Sequence, residues 1–120
     1  MTVSLFNFEE ITQHDNGTML SCHCLISADM PFFNGHFLNF PIMPAAAQIN
    51  MIQMLLQQQS SWNSTIRAGS SMKFSRRISP GETITIELRH DSTGKINFTL
   101  KSADEVKSKG TLEVAGGNRA

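Results

Sequence analysis

Short runs of alternating apolar and polar residues lie on both sides of one long apolar segment. Residues 3–11 (VSLFNFEEI) and 18–26 (TMLSCHCLI) are rich in β-branched and aromatic residues, and the HDNG between them suits a hairpin turn. After Trp62, four further segments show β-branched enrichment, and several of them alternate: TIRAGSSMKFSRRI, ETITIELRH, KINFTLKS and VKSKGTLEV. The pattern therefore predicts two strands, a central segment of different character, and four more strands.

The central apolar segment predicts a single long helix. Pro44 suits the first turn of a helix, and AAAQINMIQMLLQQQ continues to about Gln59 with good helix formers. Its apolar residues cover most of the helix circumference, so we expect the helix to lie in the core with only its last glutamines reaching water. Because the strands lack the spacing of parallel crossovers, the sequence predicts an α+β fold in which an antiparallel sheet wraps one helix.

Length and composition place the chain among single-domain proteins. Its 120 residues suit one domain, which we assign to residues 1–115, with a flexible tail over 116–120. Ten basic and ten acidic residues cancel, so no global charge attracts nucleic acid or an anionic membrane. We read no signal peptide and no membrane span, and we expect a cytoplasmic protein.

Two residue types raise the question of a metal or a reactive thiol. Cys22 and Cys24 are the only cysteines, and their spacing on a strand suits neither an ordinary disulfide nor a zinc site alone. His23 between them would point to the opposite face of the sheet. We therefore expect two small buried thiols and no metal site.

By its residue type and its neighbours in the sequence, His36 is the strongest candidate for a catalytic residue. It follows Gly35 in a tight turn and lies among phenylalanines, whose desolvating effect should lower its pKa and keep it neutral at about pH 7, as a general base requires. The alternative is a buried, hydrogen-bonded loop histidine. Free backbone N–H groups at Ala45 offer a place for a developing oxyanion, or they are simply those of an uncapped helix end.

The segment FFNGHFLNFPIMP resembles the signature of the hot-dog-fold 3-hydroxyacyl-acyl-carrier-protein dehydratases, which runs roughly F-F-x-G-H-F-P-x-x-P-V-M-P-G. The matching positions are Phe32, Phe33, Gly35, His36, Phe37, Pro41, Met43 and Pro44. Downstream, MKFSRRISPGETITIEL is similar to the family segment K-F-x-x-x-x-x-P-G-D-x-L. The resemblance spans residues 31–88 and implies the hot-dog fold, in agreement with the sheet and helix predicted above.

The resemblance implies active sites at a subunit interface of a homodimer or a heterodimer. His36 would remove the C2 proton of a 3-hydroxyacyl thioester carried by acyl carrier protein or CoA, and the N–H groups of Ala45 and Gly35 would hold the thioester oxygen. No cofactor is implied apart from the carrier's phosphopantetheine. The acyl tunnel would be lined by Phe33, Phe37, Met51, Met54 and Phe74. A cluster of cations would dock the acidic carrier or would simply form a solvated strand face: Arg67, Lys73, Arg76 and Arg77.

The carboxylate of the family pattern is missing. It falls fourteen residues after the histidine, where this chain has Asn50, and no Asp or Glu occurs between Met30 and Gly81. An asparagine amide does not deliver a proton to a leaving hydroxyl. Three explanations stay open: an engineered change in a working dehydratase, a natural half-catalytic or non-catalytic subunit of a heteromeric dehydratase, or another activity such as thioester hydrolysis. The short chain is similar to the small hot-dog partners of aryl-polyene pathways, which favours the second.

Overall fold

The computed structural model describes residues 5–33 and 42–116, which form six strands, one α-helix and two short 3₁₀ turns. The strands are β1 (Phe8–His14), β2 (Met19–Leu25), β3 (Ser64–Phe74), β4 (Thr83–His90), β5 (Ile96–Ser102) and β6 (Glu105–Gly116). The helix α1 spans Ala45–Gln58, and the 3₁₀ turns span Pro31–Phe33 and Ser60–Trp62. The predicted order of two strands, a helix and four strands is confirmed.

All six strands form one antiparallel sheet in the order β1-β2-β4-β5-β6-β3. Strands β1 and β3 lie at the two edges of the sheet, and α1 lies in the connection from β2 to the far edge strand β3. The α+β prediction with an antiparallel sheet is confirmed.

One face of the sheet and one face of the helix make the core. Alternate residues of β2, β4 and β5 point inward, as a sheet with one solvated face requires. The inward side chains are Leu20, Cys22, Cys24, Ile84, Ile86, Leu88, Ile96, Phe98 and Leu100, and they belong to one cluster with Met51, Ile52, Leu55 and Leu56 of the helix. This packing fixes the rotation of α1 over the sheet.

The expectation of a helix buried on all sides is wrong for this chain. Ala45, Ala46 and Asn50 are exposed, whereas Gln48 is buried. The sheet covers only one side of the helix, so small apolar residues on the far side remain at the surface. The first turn of α1 is therefore accessible from outside the subunit.

Several element boundaries differ from the prediction. The first strand begins at Phe8 rather than at residue 3, and it contains a bulge at Glu10, whose φ is 54°. The turn after it spans residues 15–18, where Asn16 and Gly17 adopt the left-handed conformation that hairpin turns require. Strand β6 ends at Gly116, and the rest of the predicted tail lies outside the described residues.

Candidate functional site

Helix α1 begins without a side-chain cap. Pro44 is the N-cap rather than the first helical residue, with φ −64° and ψ 154°, and it gives no side-chain cap. Its carbonyl accepts a hydrogen bond from the Gln48 N–H at 3.1 Å, so the N–H groups of Ala45, Ala46 and Ala47 have no acceptor within the helix. This end carries the positive pole of the helix, which favours negative charge.

A buried glutamine fixes the position of this helix start. Gln48 is 3% exposed; its Nε2 donates to the Met43 carbonyl at 3.2 Å, and its Oε1 accepts from Ser108 Oγ at 2.5 Å. The Met43 N–H in turn donates to the Ile78 carbonyl at 2.8 Å. The residue was missed in the sequence because glutamine reads as polar. Its spacing of three, four and seven residues from Met51, Ile52 and Leu55 was the available signal.

Asn50 lies on the opposite side of the helix from Gln48. Residues two apart on an α-helix point about 200° apart, so the burial of Gln48 against β6 turns Asn50 outward. The Asn50 side chain is exposed, and its Nδ2 lies 4.0 Å from the Met54 sulfur, a weak contact. The position at which the resemblance predicts the family carboxylate therefore faces away from this subunit's own core.

A depression of about 240 Å³ adjoins the helix start. Four residues predicted from the sequence meet at it, Ala45, Phe74, Arg76 and Arg77, together with Ile42, Met43, Pro44, Gln48 and Ser75. Phe74 is 37% exposed, so its ring is accessible from this side. A helix N-terminus, an aromatic ring and two guanidinium groups thus share one concave surface.

The other predicted site residues lie elsewhere or are not described. Phe33 and Met51 are buried in the core cluster, Met54 is half-buried beside it, and Arg67 and Lys73 are exposed on β3. His36, Gly35 and Phe37 lie outside the described residues. The roles assigned to all of these residues stay predictions.

A charge network supports the segment that carries the two arginines. Lys107 is 8% exposed, and its Nζ lies 3.1 Å from Glu82 Oε1 and 3.0 Å from Glu105 Oε1. Burial by itself would lower the pKa of Lys107, but hydrogen bonds to Glu105 and Glu82 more than offset it and raise that pKa above its ordinary value. The Lys107 carbonyl accepts from the N–H groups of Ser75 and Arg76 at 2.9 and 3.1 Å. This network was not predicted.

The prediction that Cys22 and Cys24 are buried free thiols is confirmed. Cys22 and Cys24 are buried, and burial raises the pKa of Cys22 to about 12 and that of Cys24 to about 11. Both thiols are therefore protonated at neutral pH and are poor nucleophiles. His23 points to the other face, where its Nε2 lies 3.3 Å from Glu10 Oε1 and its Nδ1 lies 3.1 Å from Thr85 Oγ1.

Within residues 5–33 and 42–116, no three His, Cys, Asp or Glu side chains gather as metal ligands would. No helix in the described part of the chain has the length and apolar character needed to cross a membrane.

Known proteins resemble this chain in sequence and in fold. It is 28% identical over 115 residues to the 3-hydroxyacyl-acyl-carrier-protein dehydratase FabZ of Bacillus velezensis, covering 90% of this chain and 76% of that protein. The FabZ of Bacillus licheniformis is 25% identical over 122 residues, covering 92% and 85%.

Two solved structures share the fold at lower identity. The dehydratase heterocomplex ApeI:P from Xenorhabdus doucetiae superposes with a TM-score of 0.74 at 21% identity, covering 91% of this chain and 94% of that one. The PaaI protein of the E. coli phenylacetic acid degradation operon gives a TM-score of 0.65 at 13% identity, covering 89% and 81%. The fold is therefore the hot-dog fold.

The family assignment rests on most of the chain. Residues 11–111 match the family described as ApeI dehydratase, ApeI-like. This range includes the histidine segment, helix α1 and four complete strands. The chain belongs to the ApeI-like dehydratases, a family of hot-dog 3-hydroxyacyl-acyl-carrier-protein dehydratases.

Proposed function

We propose that this chain acts in the dehydration of a 3-hydroxyacyl-acyl-carrier-protein thioester to the trans-2-enoyl thioester, as one subunit of a pair whose second subunit supplies the acid. The observation that carries the proposal is the exposure of Asn50 on the outward side of α1, at the position where the resemblance predicts the family's carboxylate. A site that opens outward at this position is completed by another chain. The similarity to a dehydratase heterocomplex supports the same assembly.

His36 and a carboxylate of the second subunit divide the reaction in this proposal. The neutral imidazole of His36 takes the C2 proton, and the C–H electrons form the C2–C3 double bond as the C3–O bond breaks. The partner's carboxylic acid protonates the departing hydroxyl, which leaves as water. Elimination of water requires no external oxidant or reductant, so the carrier's phosphopantetheine is the sole prosthetic group involved.

The helix start stabilises the negative charge that develops on the thioester oxygen. The Ala45 N–H lies at the positive end of α1, and the Gly35 N–H is its proposed companion. The family pattern has glycine where this chain has Ala45, so a methyl group stands beside the thioester. The buried bonds of Gln48 hold this helix end in place while charge develops.

Arg76 and Arg77 form the entrance for the carrier. Both lie at the depression beside the helix start, where guanidinium groups attract an acidic protein and a phosphate. Arg76 Nε is 3.7 Å from Glu105 Oε2, an exposed pair that is weak and open to exchange. Arg77 enters none of the ion pairs of the described residues.

A complementation assay tests the division of roles. The wild-type chain supplies His36 without an acid, and the variant H36A/N50E supplies an acid without the base. Each protein alone should be nearly inactive, because loss of one general acid or base costs about 10²–10⁴-fold. Native mass spectrometry first shows that mixed pairs are present. The mixture should then form enoyl thioester, which is measured by its absorbance.

The control is H36A/N50Q, which mixes in the same way but supplies no acid. Activity of the wild-type chain alone that His36→Ala abolishes would sink the claim that the acid comes from another subunit. Release of free carrier thiol without enoyl absorbance would indicate a thioesterase instead. If mixed pairs are present and the mixture is still inactive, the roles assigned to His36 and to position 50 are wrong.

A further inference from the structure

An irregularity in β6 places two consecutive polar side chains inside the molecule. Leu100 of β5 pairs with Ser108 of β6. The next residue of β5, Lys101, pairs with Val106, so Lys107 is an extra residue on β6. Side chains of a regular strand alternate between the two faces of the sheet, whereas Lys107 is 8% exposed and Ser108 is 1% exposed. Lys107 is therefore the extra residue of a β-bulge, a feature that often redirects a side chain next to a functional site.

The side chain of Lys107 is connected to the start of helix α1 through the turn before β4. Its Nζ lies 3.1 Å from Glu82 Oε1, and the other oxygen of that carboxylate accepts the Ser79 N–H at 2.7 Å. Ser79 follows Ile78, whose carbonyl accepts the Met43 N–H at 2.8 Å. Met43 lies two residues before the helix begins. Lys107 therefore holds the helix start through a short series of hydrogen bonds.

The neighbouring Ser108 reaches the same point by a second route. Its Oγ donates to Gln48 Oε1 at 2.5 Å, and Gln48 Nε2 donates to the Met43 carbonyl at 3.2 Å. The Met43 backbone is thus bonded through its N–H on the first route and through its carbonyl on the second. Because both routes begin at the bulge, a shift of the helix start requires that one of these bonds break.

The backbone of Lys107 holds the opposite wall of the depression, which is the arginine segment, residues 75–77. The Lys107 carbonyl accepts the N–H groups of Ser75 and Arg76 at 2.9 and 3.1 Å. Met43 and Ala45 line the same depression from the side of the helix. Lys107 is therefore connected to both walls, to the helix start by its side chain and to the arginine segment by its carbonyl.

The chemistry of the Lys107 ammonium group suits support rather than reaction. Burial alone would lower the pKa of Lys107, but hydrogen bonds to Glu105 and Glu82 raise it above its ordinary value, so the group is a cation at neutral pH. A cation between two carboxylates is neither a base nor a nucleophile. Buried ion pairs often add little stability compared with apolar side chains of similar volume. A role in geometry therefore explains this ion pair better than a role in stability.

We propose that Lys107 is a positioning residue for the dehydration, which fixes the N–H groups at the start of α1 relative to the arginine segment. This inference rests on the proposed function and adds a residue that does not itself touch the substrate. A displacement of about 1 Å, caused by a change far from the reacting atoms, can cost about 100-fold in rate. The helix start stabilises charge that develops in the transition state, so loss of the support should lower kcat and leave KM nearly unchanged.

The variant K107M/E82Q tests this role when it is introduced into both chains of the mixed pair used for complementation. Methionine keeps most of the lysine volume, and the glutamine amide oxygen still accepts the Ser79 N–H. We expect kcat to fall about 10- to 100-fold, with KM changed less than about twofold and the urea midpoint close to that of the parent. Lys107→Arg retains the cation and should keep most of the parent kcat.

Amide hydrogen exchange gives a second readout that does not depend on turnover. The N–H groups of Met43, Ser75 and Arg76 are all bonded within the two connections. In K107M/E82Q these three groups should exchange at least about tenfold faster than in the parent, whereas amides of the core strands should keep their rates.

The matched control is K101M/E87Q, which removes a lysine–glutamate pair of similar length. Lys101 Nζ lies 3.2 Å from Glu87 Oε2, and the two side chains are 32% and 31% exposed. Neither residue lines the depression. The control should leave kcat and the three exchange rates unchanged, and equal losses in both variants overturn the proposal.

Two other results also overturn it. One is a lower urea midpoint in K107M/E82Q with the parent kcat per folded protein, which makes the ion pair purely structural. The other is unchanged exchange at Met43, Ser75 and Arg76. If K107M/E82Q does not fold, Glu82→Gln alone leaves Lys107 paired with Glu105 and should show the same changes to a smaller extent, and their absence is equally decisive. If the parent pair shows no turnover, the proposed function fails, and the exchange rates still decide whether Lys107 positions the helix start.

Discussion

Replacing Gln48 with leucine should loosen the helix start without leaving a large cavity. Leucine is of similar volume, so the main loss is the pair of buried hydrogen bonds to the Met43 carbonyl and from Ser108 Oγ. Gln48 and Ser108 are 3% and 1% exposed, so water does not replace these bonds. Each buried group left without a partner costs about 1–3 kcal/mol, and we expect a total loss of about 2–4 kcal/mol in the free energy of unfolding.

Urea unfolding measures this loss, with Trp62 fluorescence as the probe. Trp62 is the only tryptophan and is 2% exposed, so its emission reports the loss of the core. All variants are compared at one protein concentration, because pairing makes apparent stability concentration-dependent. In a thermal scan the same change should lower Tm by about 8–15 °C for a domain of this size.

A double-mutant cycle separates the hydrogen bond from packing. Ser108→Ala alone leaves the Gln48 Oε1 without its donor, whereas the double variant Q48L/S108A leaves neither group unpaired. The double variant should therefore lose at least about 1 kcal/mol less than the sum of the single variants. Gln57→Leu, at an exposed position of the same helix, should change stability by no more than about 0.5 kcal/mol. Additive losses in the cycle would refute the claim that Gln48 connects α1 to β6.

The further predictions concern the pH dependence of stability at His90 and the packing around two glycines of the sheet. His90 stacks on Trp62 with ring centroids 4.0 Å apart, and desolvation lowers its pKa below the ordinary 6.5 despite the neighbouring Asp91. Stability from neutral His90 is therefore complete above pH 6.5 and is lost as the pH falls towards the folded-state pKa. The urea midpoint should decline over that range in wild type but not in His90→Gln. Gly110→Ala should destabilise by about 1–3 kcal/mol, because its Cβ would lie 2.9 Å from a Phe98 ring carbon and 3.0 Å from the Met72 Cα. Gly69→Ala would meet only the flexible Met72 side chain, so Met72→Ala should rescue Gly69→Ala and not Gly110→Ala, as urea midpoints will show.

The order of elements was predictable because it depends on local pattern. Alternation along ETITIELRH and the uninterrupted helix formers after Pro44 are properties of neighbouring residues, and both elements form where expected. The start of the first strand was not predicted, since the bulge at Glu10 depends on how β1 pairs with β2.

The local pattern of apolar and polar residues did not predict contacts between residues that are far apart in the sequence. Lys107 reads as a surface lysine in an alternating strand, and its burial depends on Glu82, which the topology brings beside it from the start of β4. Gln48 likewise requires Ser108 of β6. In both cases the polar group is buried because a partner sixty or twenty-five residues away satisfies it, and single-sequence periodicity carries no information about that partner.

The geometry of helix α1 explains why an asparagine at position 50, where the resemblance predicts the family's carboxylate, is compatible with the fold. Gln48 and Asn50 point to opposite sides, so the bonds that hold the helix to its own sheet do not involve position 50. An exposed asparagine at this position does not disturb the packing of the isolated subunit. Under the proposed function, it changes the chemistry of a site that opens towards another chain. Under the proposed function, each pair would contain one site in which His36 faces the partner's carboxylate, and a second in which Asn50 faces the partner. Losing the acid from one chain then removes one site and leaves the other complete, provided that the pair is mixed.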